Sequence, residues 1–143
     1  MSSFYLPNER NKDPKVIGPG VWWMLHTLAI NNCNTIEEKV AFVNIINTIS
    51  YKFPCENCRK HLQDFIKIDP PEAWAVSTDK NLFQWTWKAH NNANRNKNVP
   101  DFPYEEALRL YTINSDCKNT ACTKQETEAK KNNTINYVSR PIY

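Results

Sequence analysis

The chain has 143 residues, and its 18 basic and 15 acidic side chains leave a formal net charge of +3. This length suits one domain with a tail, and the short basic runs argue against a nucleic-acid partner. No apolar run approaches the roughly 18 residues of a membrane-spanning helix, and the N-terminus lacks the apolar core of a secretory signal. We therefore expect no membrane partner and no secretory export.

The glycines are few and local. Only two occur, Gly18 and Gly20, both in the segment "IGPG". Nucleotide-binding loops of the Rossmann or P-loop type need several glycines for tight turns and close approach to phosphate. A nucleotide bound by this chain would therefore have to be held by helix side chains.

The first half of the chain predicts three helices. A first helix is expected over residues 19–30, with Pro19 in its first turn. Thr35 and Glu38 form a capping-box pattern that begins a second helix running to about Tyr51. Pro54 precedes a third helix that begins near the cysteine pair of "CENCRKHLQDFIKI".

The second half predicts a loop, two helices and a tail. Pro70 and Pro71 end the third helix and begin the loop. A fourth helix is expected from Ser77–Asp79 through "NLFQWTWKAHNNAN", and a short fifth begins at Pro103. No strand pairs are evident, so the expected fold is all-α.

The composition changes after Asn114, where the sequence becomes polar and loses periodicity. Such composition is typical of a mobile tail. The predicted organisation is an N-terminal extension (1–14), one helical domain (15–114) and a C-terminal tail (115–143).

Cys55 and Cys58 are spaced as a Cys-x-x-Cys pair at a helix start. The helix dipole and nearby basic residues would stabilise a thiolate there, with Cys55 accessible and Cys58 facing the bundle. Alone, the pair is compatible with a metal half-site or a redox disulfide. A four-cysteine zinc site would need Cys117 and Cys122, whose spacing is wider than in most zinc knuckles. A thioredoxin-like site would need a β-α-β context, which this sequence lacks.

Two helices carry aromatic, histidine and asparagine side chains at helical spacing. Trp22 and His26 are four residues apart, and Trp87, His90 and Asn94 share a face of the fourth helix. Core packing is the ordinary explanation of such a Trp–His pair. Inward-facing asparagine amides, however, need hydrogen-bond partners. A planar heteroaromatic ligand would supply both a stacking surface and those partners.

These motifs together resemble the Erv/ALR-type FAD-linked sulfhydryl oxidases. That family's pattern of Gly, Trp-x-x-Leu-His-x-x-Ala, Pro-Cys-x-x-Cys and His-Asn-x-Val-Asn appears here, in order, as Gly18, "WWMLHTLA" (22–29), "FPCENC" (53–58) and "HNNAN" (90–94). The resemblance covers about residues 17–113. In its compact form the chain resembles the enzymes of large DNA viruses.

The resemblance implies a four-helix bundle with a short fifth helix around FAD, and a Cys55–Cys58 disulfide that oxidises thiols. The implied enzyme forms disulfides in client proteins and passes electrons through FAD to O2, giving H2O2. The implied cofactor contacts are Gly18, Trp22, His26, Phe53, Trp87, His90, Asn91, Asn94, Lys97 and Tyr111. Phe53 stands where relatives often have Tyr, and Lys97 is the nearest substitute for a pyrophosphate-binding lysine.

The resemblance also implies partners. Reduced client proteins or a thioredoxin-like thiol carrier would supply electrons, and the enzyme would be a homodimer with no metal. Some relatives relay electrons through a second cysteine pair, which makes Cys117 and Cys122 a candidate shuttle disulfide. If viral, the protein would work in the host cytoplasm, at a viral factory, or in the virion. The alternative is a non-enzymatic zinc-binding adaptor with four cysteine ligands, and Cys33 is left as a buried thiol or an intermolecular bridge.

Overall fold

The computed structural model describes residues 9–112, and every regular element among them is a helix. The all-α class predicted from the sequence is confirmed for this part of the chain. In chain order the helices are α1 (Pro14–Asn31), α2 (Ile36–Lys52), α3 (Glu56–Ile68), α4 (Pro71–Ala75), α5 (Leu82–Arg95) and α6 (Tyr104–Thr112). The predicted C-terminal tail and Cys117 and Cys122 lie outside the described residues, so the proposed domain boundaries stay predictions.

Helix α1 begins earlier than the sequence predicted. Asp13 is its N-cap and accepts a hydrogen bond from the backbone N–H of Lys15 at 2.9 Å, while Pro14 occupies the first helical position. Pro19, predicted as the start, lies inside the helix. The prediction was wrong because an aspartate cap followed by proline already begins a helix. Pro19 then costs one backbone hydrogen bond without ending it.

Helix α2 begins with the predicted capping box. Thr35 Oγ1 accepts from the backbone N–H of Glu38 at 3.2 Å, and the Glu38 carboxylate accepts from the N–H of Thr35 at 3.1 Å. The helix buries Phe42, Val43 and Ile46. These three belong to the apolar pattern that predicted the helix, and its start is confirmed. Val40, which the pattern also included, is 51% exposed and lies outside the core face.

The segment between α3 and α5 differs from the predicted loop. Pro71 begins the five-residue helix α4, since proline suits the first helical position. Helix α5 then begins at Leu82 rather than near Ser77–Asp79. Its cap is Asn81, whose side chain accepts from the N–H of Gln84 at 2.7 Å.

Four long helices form the bundle. Helix α1 packs against α2 and α5, and α3 packs against the same two helices. The short α4 contacts α2 and α5. Trp85 on α5 and Ile46 on α2 are almost fully buried in the core. The predicted four-helix arrangement is therefore confirmed, with α4 as an addition.

A polar group joins three of these elements where α3 ends. Asp69, the C-cap of α3, accepts from Trp74 Nε1 of α4 at 2.6 Å and pairs with the Lys88 ammonium of α5. Its backbone carbonyl accepts from Trp85 Nε1 at 2.8 Å. We call Asp69, Trp74 and Lys88 the Asp69 cluster.

The described chain divides into two compact units. The first ends at Asp101 and holds α1 to α5, and the second begins at Phe102 and contributes α6. Glu105 and Glu106 lie in the first turn of α6, where the helix dipole favours negative charge. Within residues 9–112, no helix is long and apolar enough to cross a membrane.

Candidate functional site

The cysteine pair lies where α2 gives way to α3. Cys55 is the N-cap of α3 and Cys58 follows one turn later, and the two are joined by a disulfide with their Cα atoms 5.2 Å apart. Cys55 Sγ accepts a hydrogen bond from the backbone N–H of Cys58 at 3.2 Å. The N-terminus of α3 thus offers a hydrogen-bond donor to a Cys55 thiolate.

Arg59 braces the loop before the disulfide. Its Nη1 donates to the carbonyl oxygen of Phe53 at 2.6 Å, and its backbone N–H donates to the carbonyl of Cys55 at 3.0 Å. The sequence singled out Arg59 only for its charge. Its structural effect is to fix the C-terminal end of α2 against the first turn of α3, and so to fix the position of the disulfide.

A cavity lies between α1, α3 and α5, with Cys58 on its wall. Leu62 of α3 and Ala89 of α5 contribute apolar lining. The structure brings five predicted site residues to this cavity: Gly18, Trp22, Phe53, Cys58 and Lys97. Cys55 and Cys58 are both half-buried, but Cys58 is the one that lines the cavity. The predicted inward orientation of Cys58 therefore fits the structure.

A second group of site residues is buried between α1 and α5. His26 Nδ1 lies 2.8 Å from Thr86 Oγ1, and His26 Nε2 lies 2.9 Å from His90 Nδ1. Burial and the neighbouring His90 lower the pKa of His26 to about 3, so this ring is neutral at physiological pH. We call His26, Thr86 and His90 the histidine cluster.

Trp22 connects the histidine cluster to the cavity. Its ring stacks on that of His90, with centroids 4.3 Å apart and planes 5° apart, and it also lines the cavity. Any displacement of the His90 ring therefore changes a wall of the cavity.

Two asparagines on α5 are also fully buried. Asn94 Nδ2 donates to Asn91 Oδ1 at 3.3 Å, while Asn94 Oδ1 has no hydrogen-bond partner. Exchanging the amide nitrogen and oxygen would leave the other atom unpartnered, so the conclusion holds for either orientation. A buried amide without a partner costs about 1–3 kcal/mol. A polar group of a ligand would remove that cost.

FAD is the cofactor implied by the sequence resemblance, and the residues present fit it. The cavity combines apolar lining with an aromatic wall, and a Cβ added to the buried Gly18 would meet no atom within 4 Å, so the space above it is open. Lys97 supplies a positive charge for phosphate. Asn94 supplies the unpartnered amide. A flavin offers the ring, phosphates and polar edges that such groups require.

Two predicted site residues, Trp87 and Tyr111, are not among the residues that line the cavity. Trp87 is half-buried on α5, outside the lining of the cavity. Tyr111 lies on α6 in the second unit, and burial raises its pKa above the ordinary value. Their roles toward the cofactor stay predictions.

Cys33 is a free thiol at the end of α1. Burial, assisted by the negative charge of Glu38, raises its pKa to about 11. Within the described residues its Sγ contacts the Leu28 carbonyl at 3.8 Å. Cys33 is therefore a protonated thiol at neutral pH, because burial and Glu38 outweigh the opposing positive charge of Lys39.

Sequence reasoning missed Thr86. It is fully buried and forms a hydrogen bond to a predicted site histidine. A signal was present, because Thr86 precedes His90 by four residues and so shares its helix face. A threonine hydroxyl inside a helix commonly donates to a carbonyl of the preceding turn, so the sequence offers no reason to expect a second bond to His26.

The zinc alternative is not favoured. The Cys55 and Cys58 sulfurs are bonded to each other, which removes both from metal coordination. Among residues 9–112, no group of three or more histidine, cysteine, aspartate or glutamate side chains is placed to hold a metal ion.

Comparison with known proteins agrees with this fold. A family model for the Erv1 / Alr family matches residues 19–112, so the chain belongs to that family. It is 28% identical over 116 residues to protein 096R of Invertebrate iridescent virus 3, which carries the name of an FAD-linked sulfhydryl oxidase, covering 79% of this chain and 77% of the relative.

Two yeast comparisons extend this result. The mitochondrial FAD-linked sulfhydryl oxidase ERV1 of Saccharomyces cerevisiae is 27% identical over 92 residues, covering 63% of this chain and 47% of the relative. The crystal structure of the yeast Erv1 core superimposes with a TM-score of 0.63 at 23% identity, covering 80% of this chain and 97% of that one. At that identity the structural likeness shows the fold.

Proposed function

We propose that this protein is an FAD-dependent thiol oxidase that forms disulfides in client proteins. The observation that carries the proposal is the Cys55–Cys58 disulfide at the start of α3, with Cys58 on the wall of the aromatic cavity. FAD, when bound, accepts the electron pair of the reduced cysteines and passes it to dioxygen, which gives hydrogen peroxide. Membership of the Erv1 / Alr family and its viral and yeast sulfhydryl oxidase relatives support this assignment.

The protein's own part in the reaction is thiol–disulfide exchange. A client thiolate attacks Cys55 Sγ, the Cys55–Cys58 bond breaks, and Cys58 leaves as a thiolate with the bonding electron pair. A second client thiolate then attacks the client sulfur of the mixed disulfide and releases Cys55. The client gains a disulfide and loses two electrons and two protons. The Cys58 backbone N–H, 3.2 Å from Cys55 Sγ, stabilises the departing Cys55 thiolate.

The residues proposed to hold the cofactor fall into three groups. Gly18, Trp22, Phe53 and Lys97 line the cavity. His26, His90, Asn91 and Asn94 form the buried polar group behind Trp22. Tyr111 is proposed from the family pattern alone, and Trp87 from its helical spacing with His90 and Asn94.

Spectroscopy of the purified protein tests the proposal. We expect yellow protein with stoichiometric FAD released on denaturation, and dithiothreitol should drive oxygen uptake with equimolar hydrogen peroxide. Cys33→Ser should behave as wild type, because Cys33 is a protonated thiol away from the disulfide. Colourless protein carrying stoichiometric zinc would instead establish the adaptor alternative.

We further propose a homodimer formed through the outer faces of α1 and α2. On α1, Val16 is 61% exposed, and Trp23 and Met24, seven and eight residues further along, are 43% and 59% exposed. Ile36 and Val40 on α2 are about half exposed. Exposed apolar stripes on two helices that pack together are typical of a self-association surface.

Light scattering of single variants tests the dimer. Met24→Glu and Val40→Glu should each give monomers at concentrations where wild type is dimeric. Ile68→Glu is the matched control, because Ile68 is 83% exposed on α3, away from the proposed surface. A dimer that survives both α1 and α2 substitutions but is lost in the control would rule out this interface.

Cys117 and Cys122 are proposed as a shuttle disulfide that relays electrons from a client or a thioredoxin-like carrier to Cys55. A ring this small gives little entropic stabilisation, which argues against a structural role. Attachment to the same chain raises the effective concentration of the pair near Cys55. The Cys117→Ala/Cys122→Ala variant should keep its rate on dithiothreitol and lose much of its rate on a reduced protein. Equal rates on the protein client would remove the shuttle role.

The place of action is proposed with the support of the viral relatives. They support the proposal that the enzyme works on proteins at a viral factory in the host cytoplasm or in the virion. Immunolocalisation in infected cells, with virions assayed separately, would distinguish these two sites.

A further inference from the structure

Thr86 is a fully buried residue to which neither the family pattern nor the sequence analysis assigned a role. It lies on α5, one turn before His90, and is 0% exposed. Its Oγ1 lies 2.7 Å from the backbone carbonyl oxygen of Phe83 and 2.8 Å from His26 Nδ1. Both distances are those of hydrogen bonds.

The direction of each bond follows from the count of protons. A hydroxyl has one proton, and a carbonyl oxygen only accepts, so the Thr86 proton points to Phe83. Thr86 Oγ1 can then only accept from His26, which places the ring proton of His26 on Nδ1. If the hydroxyl donated to His26 instead, two oxygens would face each other at 2.7 Å with no proton between them.

The same logic fixes the second ring. Neutral His26 with its proton on Nδ1 carries a lone pair on Nε2. The 2.9 Å contact with His90 Nδ1 therefore requires that His90 donates from Nδ1. This holds whether His90 is neutral or protonated. In the neutral state, Nε2 of His90 carries a lone pair, so a hydrogen-bonding partner at that atom must be a donor.

We propose that Thr86 is a positioning residue that sets the Nδ1–H tautomer of His26 and, through it, the donor orientation of His90. The chain runs from His90 Nδ1–H to His26, from His26 Nδ1–H to Thr86, and from Thr86 to the Phe83 carbonyl. Each bond in this chain can run in one direction only, so each of the two imidazole rings is fixed in a single orientation. If the Thr86 hydroxyl served only the helix, its bond to the Phe83 carbonyl would be sufficient, and the contact with His26 would not be needed.

This ordering reaches the cavity through Trp22. The indole stacks on His90 and also lines the cavity that Cys58 borders. A His90 ring free to flip or tilt would lose the parallel stacking and move that wall. The effect on FAD rests on the proposed function, whereas the tautomers are a property of the protein itself.

Nuclear magnetic resonance of the ring nitrogens in the FAD-loaded protein tests the tautomers. The chain has three histidines, and His61→Gln removes the exposed one from the spectrum. We expect His26 to show a protonated Nδ1 and an unprotonated Nε2, and His90 to show a protonated Nδ1. An Nε2–H tautomer of His26 in the wild-type protein would overturn the inference.

Two substitutions of Thr86 test its role. Thr86→Val keeps the shape and removes the hydroxyl, and Thr86→Ser keeps the hydroxyl as the matched control. Thr86→Val should mix or reverse the His26 tautomers and weaken FAD retention by about tenfold, the effect of losing one buried hydrogen bond. Thr86→Ser should keep the wild-type nitrogen pattern and most of the affinity.

The outcomes separate this inference from the proposed function. A wild-type nitrogen pattern in Thr86→Val, or unchanged FAD retention, overturns the positioning role even if the enzyme is an active oxidase. Protein that binds no FAD overturns the proposed function, and the tautomers are then read in the flavin-free protein. If Thr86→Val does not fold, the wild-type and Thr86→Ser spectra still decide whether His26 carries its proton on Nδ1.

Discussion

The Asp69 cluster and the histidine cluster both join α5 to other helices, but their hydrogen bonding differs. In the Asp69 cluster, Trp74 Nε1 donates to one carboxylate oxygen of Asp69 and the Lys88 ammonium pairs with the other. Burial would raise the pKa of Asp69, but the bonds from Lys88 and Trp74 outweigh it and lower this pKa. The result is a charged group whose oxygens are satisfied by the fold.

The histidine cluster is more deeply buried, and its His26 ring is neutral. His26 has a pKa lowered to about 3 by burial and by His90, and Asn94, on the same helix, keeps an amide oxygen without a partner. A fold that needed these groups only for packing would gain by replacing them with apolar side chains. Polarity at Asp69 thus stabilises the fold, whereas the unpartnered Asn94 oxygen and the histidine cluster support the proposal that polarity near the cavity serves a ligand.

The largest expected effect is the loss of turnover when either cysteine beside the cavity is replaced. Cys55→Ser and Cys58→Ser should each lower turnover by roughly a thousandfold or more, because either change removes the disulfide that accepts client electrons. FAD should remain bound. Oxygen uptake measures the rate, and the visible spectrum measures flavin content.

The two serine variants should differ in spectrum. Cys55→Ser leaves Cys58 as a thiolate at the cavity wall, which should give a long-wavelength charge-transfer band with FAD. Cys58→Ser should lack the band. A band in the opposite variant would reverse the assigned roles of the two cysteines.

The next effect is a loss of stability in acid caused by His26. Because the pKa of His26 falls from 6.5 to about 3 on folding, the unfolded chain binds the additional proton between these values. The contribution of His26 to the free energy of unfolding is therefore full above pH 6.5. It falls as the pH drops below this value, by about 1.4 kcal/mol per pH unit and by about 4–5 kcal/mol in all.

Urea unfolding between pH 6.5 and 4.5 measures this slope before most carboxylates titrate. His26→Gln should flatten it. Equal slopes in wild type and His26→Gln would show that His26 is protonated in the folded protein.

A smaller effect, the stability change of Asn94→Ala with and without FAD, separates the contribution of the ligand to stability from that of the protein's own packing. Asn94→Ala should change the stability of flavin-free protein by less than about 1 kcal/mol, because it removes a weak bond and an unsatisfied oxygen together. In FAD-loaded protein it should remove up to about 2.7 kcal/mol, the stabilisation given by a ligand at a hundred times its Kd. Thermal unfolding with and without FAD measures both.

The control for Asn94 is Asn44→Ala on the exposed face of α2, which should leave both melting temperatures unchanged. Equal losses in the flavin-free and loaded forms of Asn94→Ala would assign Asn94 to the fold rather than to the ligand.

The sequence predicted most of what depends on local signals. The capping box at Thr35 and the apolar spacing of α2 determine that helix from residues close in the chain, and both were confirmed. The start of α1 was missed because Pro19 was given more weight than the Asp13–Pro14 cap. The short α4 was missed because Pro71 can begin a helix as readily as it can end one.

The candidate site likewise has features that the sequence predicted and features that only the folded structure reveals. The family pattern named Trp22 and Cys58, and Lys97 was predicted as the nearest substitute for a lysine of that family. The fold brings all three to one cavity. The link from Thr86 to His26 joins residues 60 positions apart, and no local pattern encodes which nitrogen meets the hydroxyl. The unpartnered Asn94 oxygen depends on what the fold leaves unfilled. Such properties require the packed structure.

The smallest expected effect tests the other side of the comparison. Asp69→Asn keeps the shape and an acceptor for Trp74 but removes the charge that pairs with Lys88. Lys88 is 40% exposed and the Asp69 side chain 20%, so solvent screening limits the loss to about 1–2 kcal/mol. The loss should be the same with and without FAD, since the cluster acts on the fold alone. Asp64→Asn is the matched control, because its pair with Lys67 is exposed on α3 and should contribute almost nothing. A loss for Asp69→Asn that appears only in the FAD-loaded protein would mean that the Asp69 cluster also serves the ligand, and the contrast between the two clusters would not hold.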